Sequence, residues 1–525
     1  MLKRLLLWGA LVGLLAVPAL GQAIPKDTLV IGADTGIIVD LDPARAYEVF
    51  TNTVIEQLYD NLVDFEGTFE VIKPALAESW EASADGMTWT FHLRKGVTFH
   101  SGNEVNADAV VFSFTRALAL DFAPIWMLDQ YVPSADNVKK IDDYTVAITT
   151  KVALSEGLMG AIMGVQGICA IVDPSVVDAH KTADDPWAYK WLQFHDAGSG
   201  PYKLIEWSPN DRVTLEGFDA YWDGAPKTKN VIVIDIPERA QQRLALENGT
   251  VDIAWDLLPE AVDELRDREG FTIYESPGWS IDYLCMNVGK EPFGDPLVRK
   301  AIKYAIDYDA IVNGIMKGAA IVGQTFIPVG IPGHLEATPY HKDVEKAKQL
   351  LADAGYPDGF TTQIICQPTS PRKDIATQIQ QDLAEVGIKA DLVQLISAQM
   401  YELYRGQEHY LLVAGWGVDY GHGDSLVKPF AHCCSTGDDA PVRQLAWRNM
   451  YSNCDLTALV DKTETELDEE KKLEMYEQIQ QVILDDGPFA IEFYPLNQIA
   501  SLDRVKGFVM MNSTSYIELC GVYKE

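Results

Sequence analysis

The sequence predicts a mixed α/β fold in at least two lobes. Three observations carry this. Apolar strand-like runs and amphipathic helix-like runs alternate along the chain instead of segregating. VIVIDI at 231–236 is almost continuously apolar, as in a strand covered on both faces. The chain is also too long for one core: its 525 residues, less a leader of 23, leave 502, which suggests two to four domains.

The elements follow in order. TLVIGA at 28–33 is a short apolar strand. VIEQLYDNLVDF at 54–65 places Ile55, Leu58, Tyr59 and Leu62 at helical spacing. TWTFHL at 88–93 alternates as a strand after a DGM turn. Asn106 caps a helix with Val110, Val111, Phe114 and Leu118 on one face. TVAITT at 145–150 is a strand, and DAGSGPYKLIEW at 196–207 is a loop entering another. A helix carrying Leu244 and Leu246 ends at Gly249. After ESPGWS at 275–280 come the strand IDYLCMN and a long helix from Leu297 to Lys317. Two helices that stop at Gly355 and Gly387 flank the strand TTQIICQ. ADLVQL and YLLVAGW are further strands. A helix over 469–485 is stopped by Asp485-Asp486-Gly487-Pro488, and the strand FAIEFY follows. There is no internal repeat.

The first 23 residues read as a cleavable secretory leader. Lys3 and Arg4 precede a short apolar run, and Gly21-Gln22-Ala23 offers small residues for cleavage. No cysteine sits there, so a lipid anchor is not expected. The mature chain should be exported and soluble. Its charge is −35, or about −37 without Lys3 and Arg4. Such a surface repels nucleic acid and anionic lipid. Seven cysteines leave at least one unpaired. In an oxidising compartment Cys454 can bridge to Cys433 or Cys434, while Cys285 and Cys366, inside apolar runs, read as buried thiols.

Several stretches together resemble one family. TWTFHLRKGVTFHSGNEVNADAVVFSFTRAL (88–118), preceded by PALAESWEASADG (74–86), is similar to a hallmark segment of the family 5 extracellular solute-binding proteins of ABC importers. These include dipeptide-, oligopeptide- and nickel-binding proteins. GSGPYKLIEWSPNDRVTLEGFDAYWDG (198–224), PLVRKAIKYAID with IVNGIMKG (296–318) and AKQLLADAGYPDGF (347–360) resemble further family blocks in the right order. The resemblance implies the two-lobed periplasmic binding protein fold of cluster C type, with a hinge between the lobes. It places lobe I at 24–61 and 198–278, an inserted subdomain at 62–197, lobe II at 279–494 and a return to lobe I at 495–525. It also implies a peptide ligand, no cofactor, permease subunits of the inner membrane as partners, and a monomer in the periplasm.

GWGVDYGHG at 415–423 is where the ligand is expected. In peptide-binding members a Trp-x-x-Asp segment follows a lobe II strand, and its aspartate pairs with the ligand's ammonium. Here that segment is Trp416-Gly417-Val418-Asp419. An ammonium in a water-poor cleft needs a charge-assisted acceptor, and Trp416 can wall the site. The glycines would let backbone approach the ligand. The bland alternatives are a turn-capping aspartate and a core tryptophan. Trp279 is a further wall candidate. Thr35 and Gly36 could offer backbone contacts, and Arg372 in PTSPRKD could hold a carboxylate, although the sequence around it departs from the dipeptide-binder pattern.

Other readings are weaker. His432, Cys433, Cys434 and Cys454 have poor zinc-ligand spacing. His195, Asp196 and Ser199 carry triad residue types but are nearly contiguous, so a secreted hydrolase is not expected. His422 alone does not make a nickel site. The same fold binding an oligosaccharide, an opine or a metal chelate stays open, as does a chaperone-like exported protein.

Overall fold

The computed structural model describes residues 25–66, 68–438, 440, 442–510 and 517–525. The predicted leader at 1–23 lies outside the described residues.

The organising element is the 14-residue strand Phe489–Leu502. Its first half pairs antiparallel with Ser280–Met286, with Ala320–Val322 beside it. Its second half pairs with Phe271–Pro277 and with Ile253–Ala254. On one side the sheet continues through Leu411–Gly417, Thr361–Cys366 and Lys389–Gln394. On the other it continues through Thr28–Ala33, Asn230–Asp235, Arg212–Gly217 and Tyr202–Ser208. Two sheet halves with separate cores thus share one strand. Leu29, Ile31 and Val231 belong to one core, Ile281, Tyr283 and Leu412 to another.

The chain passes from one half to the other between Pro277 and Ser280. Gly278 donates to the Pro495 carbonyl at 2.7 Å. A β-carbon on Gly278 would meet that oxygen at 2.8 Å, so the two connections lie too close for any other residue.

Residues 77–149 supply a separate four-stranded sheet, in which Thr88–Leu93 pairs with Ala77–Ala82 and Thr145–Thr149. It is covered by the helix Ala107–Leu120, which Asn106 caps by accepting from the Ala109 N–H. Trp89, Phe91, Val110 and Phe114 fill this core.

Two helix readings are corrected. The helix expected over 54–65 spans Val49–Leu58, and a strand begins at Val63. The Leu58 carbonyl accepts from Gly200 N–H at 3.0 Å, and a β-carbon on Gly198 would sit 1.9 Å from the same oxygen. The GSGP loop therefore covers the helix end, and Leu62 and Val63 go to a hairpin core. The helix expected from Leu297 to Lys317 breaks after Ala305. Asp307 ends it by capping the Ala310 N–H at 2.9 Å and opening a second helical segment, Ala310–Ile315.

Cys434 and Cys454 form the disulfide, and Cys433 is a buried thiol beside it. Cys285 and Cys366 are buried thiols as well. The bridge closes a segment with a sequence separation of 20, a length at which cross-linking contributes about 3 kcal/mol. Replacing both partners, as Cys434→Ser with Cys454→Ser, should lower stability by about 2–4 kcal/mol in denaturant titrations. Reductant should reproduce that loss in the native chain and leave the variant unchanged. Among the described residues no single helix is long and apolar enough to cross a membrane.

Candidate functional site

A cleft of about 500 Å³ opens where the strand Leu411–Gly417 ends beside the two connections. Three parts of the chain wall it. Tyr47 comes from the loop before the helix Val49–Leu58, and Val49 and Asn52 from its first turn. Met127, Val165 and Gln166 come from the inserted segment. Trp279, Ser280, Asn497 and Trp416–Asp419 come from the connections and the strand end.

The loop after the strand is fixed by pairing. Gly417 lies opposite Ser280 in register, and the Val418 N–H donates to the Trp279 carbonyl at 2.9 Å. Asp419 then projects into the cleft, where Tyr47 Oη donates to its Oδ1 at 3.4 Å. No cation pairs with Asp419 among the described residues. Burial pushes its carboxyl up to about 6, and the Tyr47 hydroxyl offsets only part of that. An acceptor of this kind favours a ligand that brings its own positive charge.

The four glycines of the motif serve different neighbours. A β-carbon on Gly415 would meet Arg372 Nη2 at 2.4 Å, one on Gly421 would meet Phe69 at 2.5 Å, and one on Gly423 would meet Tyr476 at 2.8 Å. Gly417 alone faces the cleft, with its nearest such contact an ordinary 3.8 Å. The expectation that the glycines admit a ligand is thus corrected: three of the four admit protein side chains.

Trp416 and Trp279 both line the cleft. Trp416 has the Arg448 guanidinium 5.8 Å from its ring centre. Its Nε1–H is buried and has no acceptor among the described residues. The Trp279 ring packs on Phe69 at 4.0 Å.

Three candidates sit differently from expectation. Arg372 is not in the cleft wall. Its Nε donates to Asp282 at 3.0 Å and its Nη1 to Gln367 at 3.3 Å. Asp282 is buried and needs that counter-charge. Thr35 donates through both its N–H and its hydroxyl to Asp235 at 2.8 Å, and the Gly36 N–H donates to Asp34 at 3.0 Å. These backbone donors hold a turn and are already engaged.

Sequence reading missed Tyr47, Asn52 and Gln166. Each comes from a segment far from Asp419 in the chain, and no local pattern marks them. Asn52 lines the cleft, while its Oδ1 is itself buried and has no donor among the described residues.

The set-aside constellations are structural. Ser199 is fully buried and donates to Asp60 at 2.7 Å, while Asp196 pairs with His100 at 2.6 Å and His195 stacks on Trp191. The triad residue types therefore face three different partners. His422 is buried against Glu469 at 3.0 Å; burial raises the Glu469 carboxyl, but the hydrogen bonds from His422 and Ser155 and the nearby positive charge outweigh it and hold the group down to about 2. Among the described residues no group of three or more His, Cys, Asp and Glu is arranged to hold a metal.

Residues 71–438 match the family model of the bacterial extracellular solute-binding proteins, family 5 middle. The chain belongs to this family. It is 29% identical over 486 residues to heme-binding protein A of Haemophilus influenzae, covering 87% of this chain and 85% of that one. It is 29% identical over 478 residues to the dipeptide-binding protein of Escherichia coli, covering 86% of each. The structure of HbpA2 from Haemophilus parasuis superposes with a TM-score of 0.84 at 26% identity, over 95% of this chain and all of that one. The fold is thus that of the two-lobed periplasmic binding proteins, and the family serves ABC importers as exported binding proteins rather than as enzymes.

Proposed function

We propose that this protein captures a peptide, of two or more residues, in the cleft between its lobes and delivers it to the permease subunits of an ABC importer. The observation that carries this is Asp419: a half-buried carboxylate with no cation partner among the described residues, facing a cleft of about 500 Å³. A peptide's α-ammonium supplies the missing charge. Trp416 and Asn52 wall the space in which the peptide groups that follow would lie. The dipeptide-binding relative supports the reading. In it, lobe I covers 24–61 and 198–278 with an inserted subdomain at 62–197. Lobe II covers 279–494, and the chain returns to lobe I at 495–525. The shared strand and the connection at Gly278 act as hinge, and ligand favours closure by its differential affinity for the closed form. The leader is cleaved and the mature protein works as a monomer in the periplasm.

Binding should be micromolar or tighter, about 8 kcal/mol. Mass spectrometry of the small molecule released on denaturing freshly purified protein tests the class. Short peptides are expected. The similarity to a heme-binding protein keeps an iron porphyrin as a second reading, and recovery of a porphyrin in place of peptides would overturn the peptide assignment.

The pH dependence has a definite sign. With Asp419 at about 6 in the free protein, an ammonium ligand must displace a proton below that pH. Affinity should be highest near pH 7, fall by about tenfold per pH unit below 6, and fall again above roughly pH 8 as the ligand's α-ammonium deprotonates. Calorimetry in two buffers of different ionisation enthalpy should show proton release on binding at pH 5.5. Affinity that is constant down to pH 5 would remove Asp419 from the ligand contact.

A further inference from the structure

The main cleft does not end at Asn497. A second chamber of about 360 Å³ adjoins it and shares Val49 and Asn497 as walls. Its remaining lining includes Asp34, Ile37, Trp255, Asp256 and Gln498. Among the described residues the charged side chains lining the two chambers are all carboxylates: Asp419 in the first, Asp34 and Asp256 in the second. They are not equivalent. Asp256 is neutralised by Arg239 at 2.8 Å. Asp34 accepts the Gly36 N–H through Oδ1, and no lysine or arginine pairs with it among the described residues. Ile37 and Val49, 43% and 53% exposed, present apolar surface beside it. That combination suits a long basic side chain, whose methylene stem lies on apolar surface while its head meets a carboxylate.

We infer that the preferred ligand is a cationic peptide: its ammonium sits at Asp419 and a lysine or arginine side chain reaches Asp34 in the second chamber. The inference rests on the peptide reading above. It also assigns the other end of the ligand. A carboxyl terminus placed among these carboxylates would be repelled, and Arg372, which lies beside Gly415, is engaged with Asp282. The carboxyl terminus therefore leaves the cleft toward solvent.

Calorimetry with Ala-Ala-Ala and its variants carrying lysine or glutamate at the second or third position tests this, each with a free and an amidated carboxyl terminus. A lysine variant should bind about 3- to 10-fold tighter than Ala-Ala-Ala, with the gain shrinking in high salt. The glutamate variants should bind more weakly, and amidation should cost less than about twofold. Asp34→Asn keeps the acceptor for Gly36, so it should abolish the lysine preference and leave Ala-Ala-Ala unaffected. Peptides that bind without regard to charge, or an amidation penalty of about tenfold, would overturn this inference and leave the peptide reading standing. Failure of every peptide to bind would bring down the peptide reading, and this inference with it.

Discussion

Asp419→Ala is expected to weaken peptide binding by roughly 30- to 1000-fold. The ammonium would lose its charge-assisted partner inside a cleft that otherwise offers it the Tyr47 hydroxyl and amide groups. Truncating one member of a desolvated charge pair typically costs about 2–4 kcal/mol. The control is the ligand itself. An N-acetylated peptide should bind the native protein as weakly as the free peptide binds the variant, and the variant should not distinguish the two. Affinity within threefold of native would place the ligand's ammonium elsewhere.

Asp419→Asn should also make the ligand-free protein more stable. A carboxyl at about 6 when folded and near 4 when unfolded binds more protons in the folded state between those values. Stability therefore falls as pH rises from about 4 to 6, and the loss persists at neutral pH. The full effect would be up to ~3 kcal/mol. Partial solvent access reduces it to about 1 kcal/mol. A variant that melts higher at pH 7 yet binds no peptide would identify Asp419 as a site held at the expense of the fold.

What the sequence made legible was local. Strands such as Thr28–Ala33 and Thr88–Leu93 stand where their alternating or continuous apolar pattern placed them, because that pattern reports burial directly. The Trp-x-x-Asp segment stood out through its resemblance to peptide-binding members of the family, since its residues alone fit a turn-capping aspartate as well. The cleft's far wall was not. Tyr47 reaches Asp419, and Asn52 the same cleft, only because two sheet halves meet on one strand, and contacts of that sequence separation leave no periodic trace. Arg372 misled for a related reason: a buried Asp282, 90 residues away, claims it. The missed boundary at Leu58 has the same character. Helical spacing continues past it, and the cause is a glycine loop about 140 residues later.

The loop that carries Tyr47 and Val49 to the cleft depends on one buried ion pair, and breaking it should be the largest single-residue effect on stability. Arg116, on the helix Ala107–Leu120, donates through Nη1 to Asp42 Oδ1 at 2.8 Å and through Nη2 to Oδ2. Its Nε donates to the Trp187 carbonyl at 3.0 Å. Asp42 is fully buried and also accepts the Ala44 N–H. Burial raises its carboxyl even with the guanidinium in place. Arg116→Met would remove the counter-charge and leave the carboxylate in a dry site, at a cost of about 3–5 kcal/mol at pH 7. The deficit should shrink as pH falls, because a protonated Asp42 needs no cation and its folded value would then lie far above the unfolded one. Denaturant titrations at pH 7 and 5 measure both. The double variant with Asp42→Asn should recover much of the loss, since no charge then remains to be buried. A single variant as stable as native at pH 7, or a deficit that grows toward acid, would mean that Asp42 finds another partner, and that the cleft's near wall does not rest on this pair.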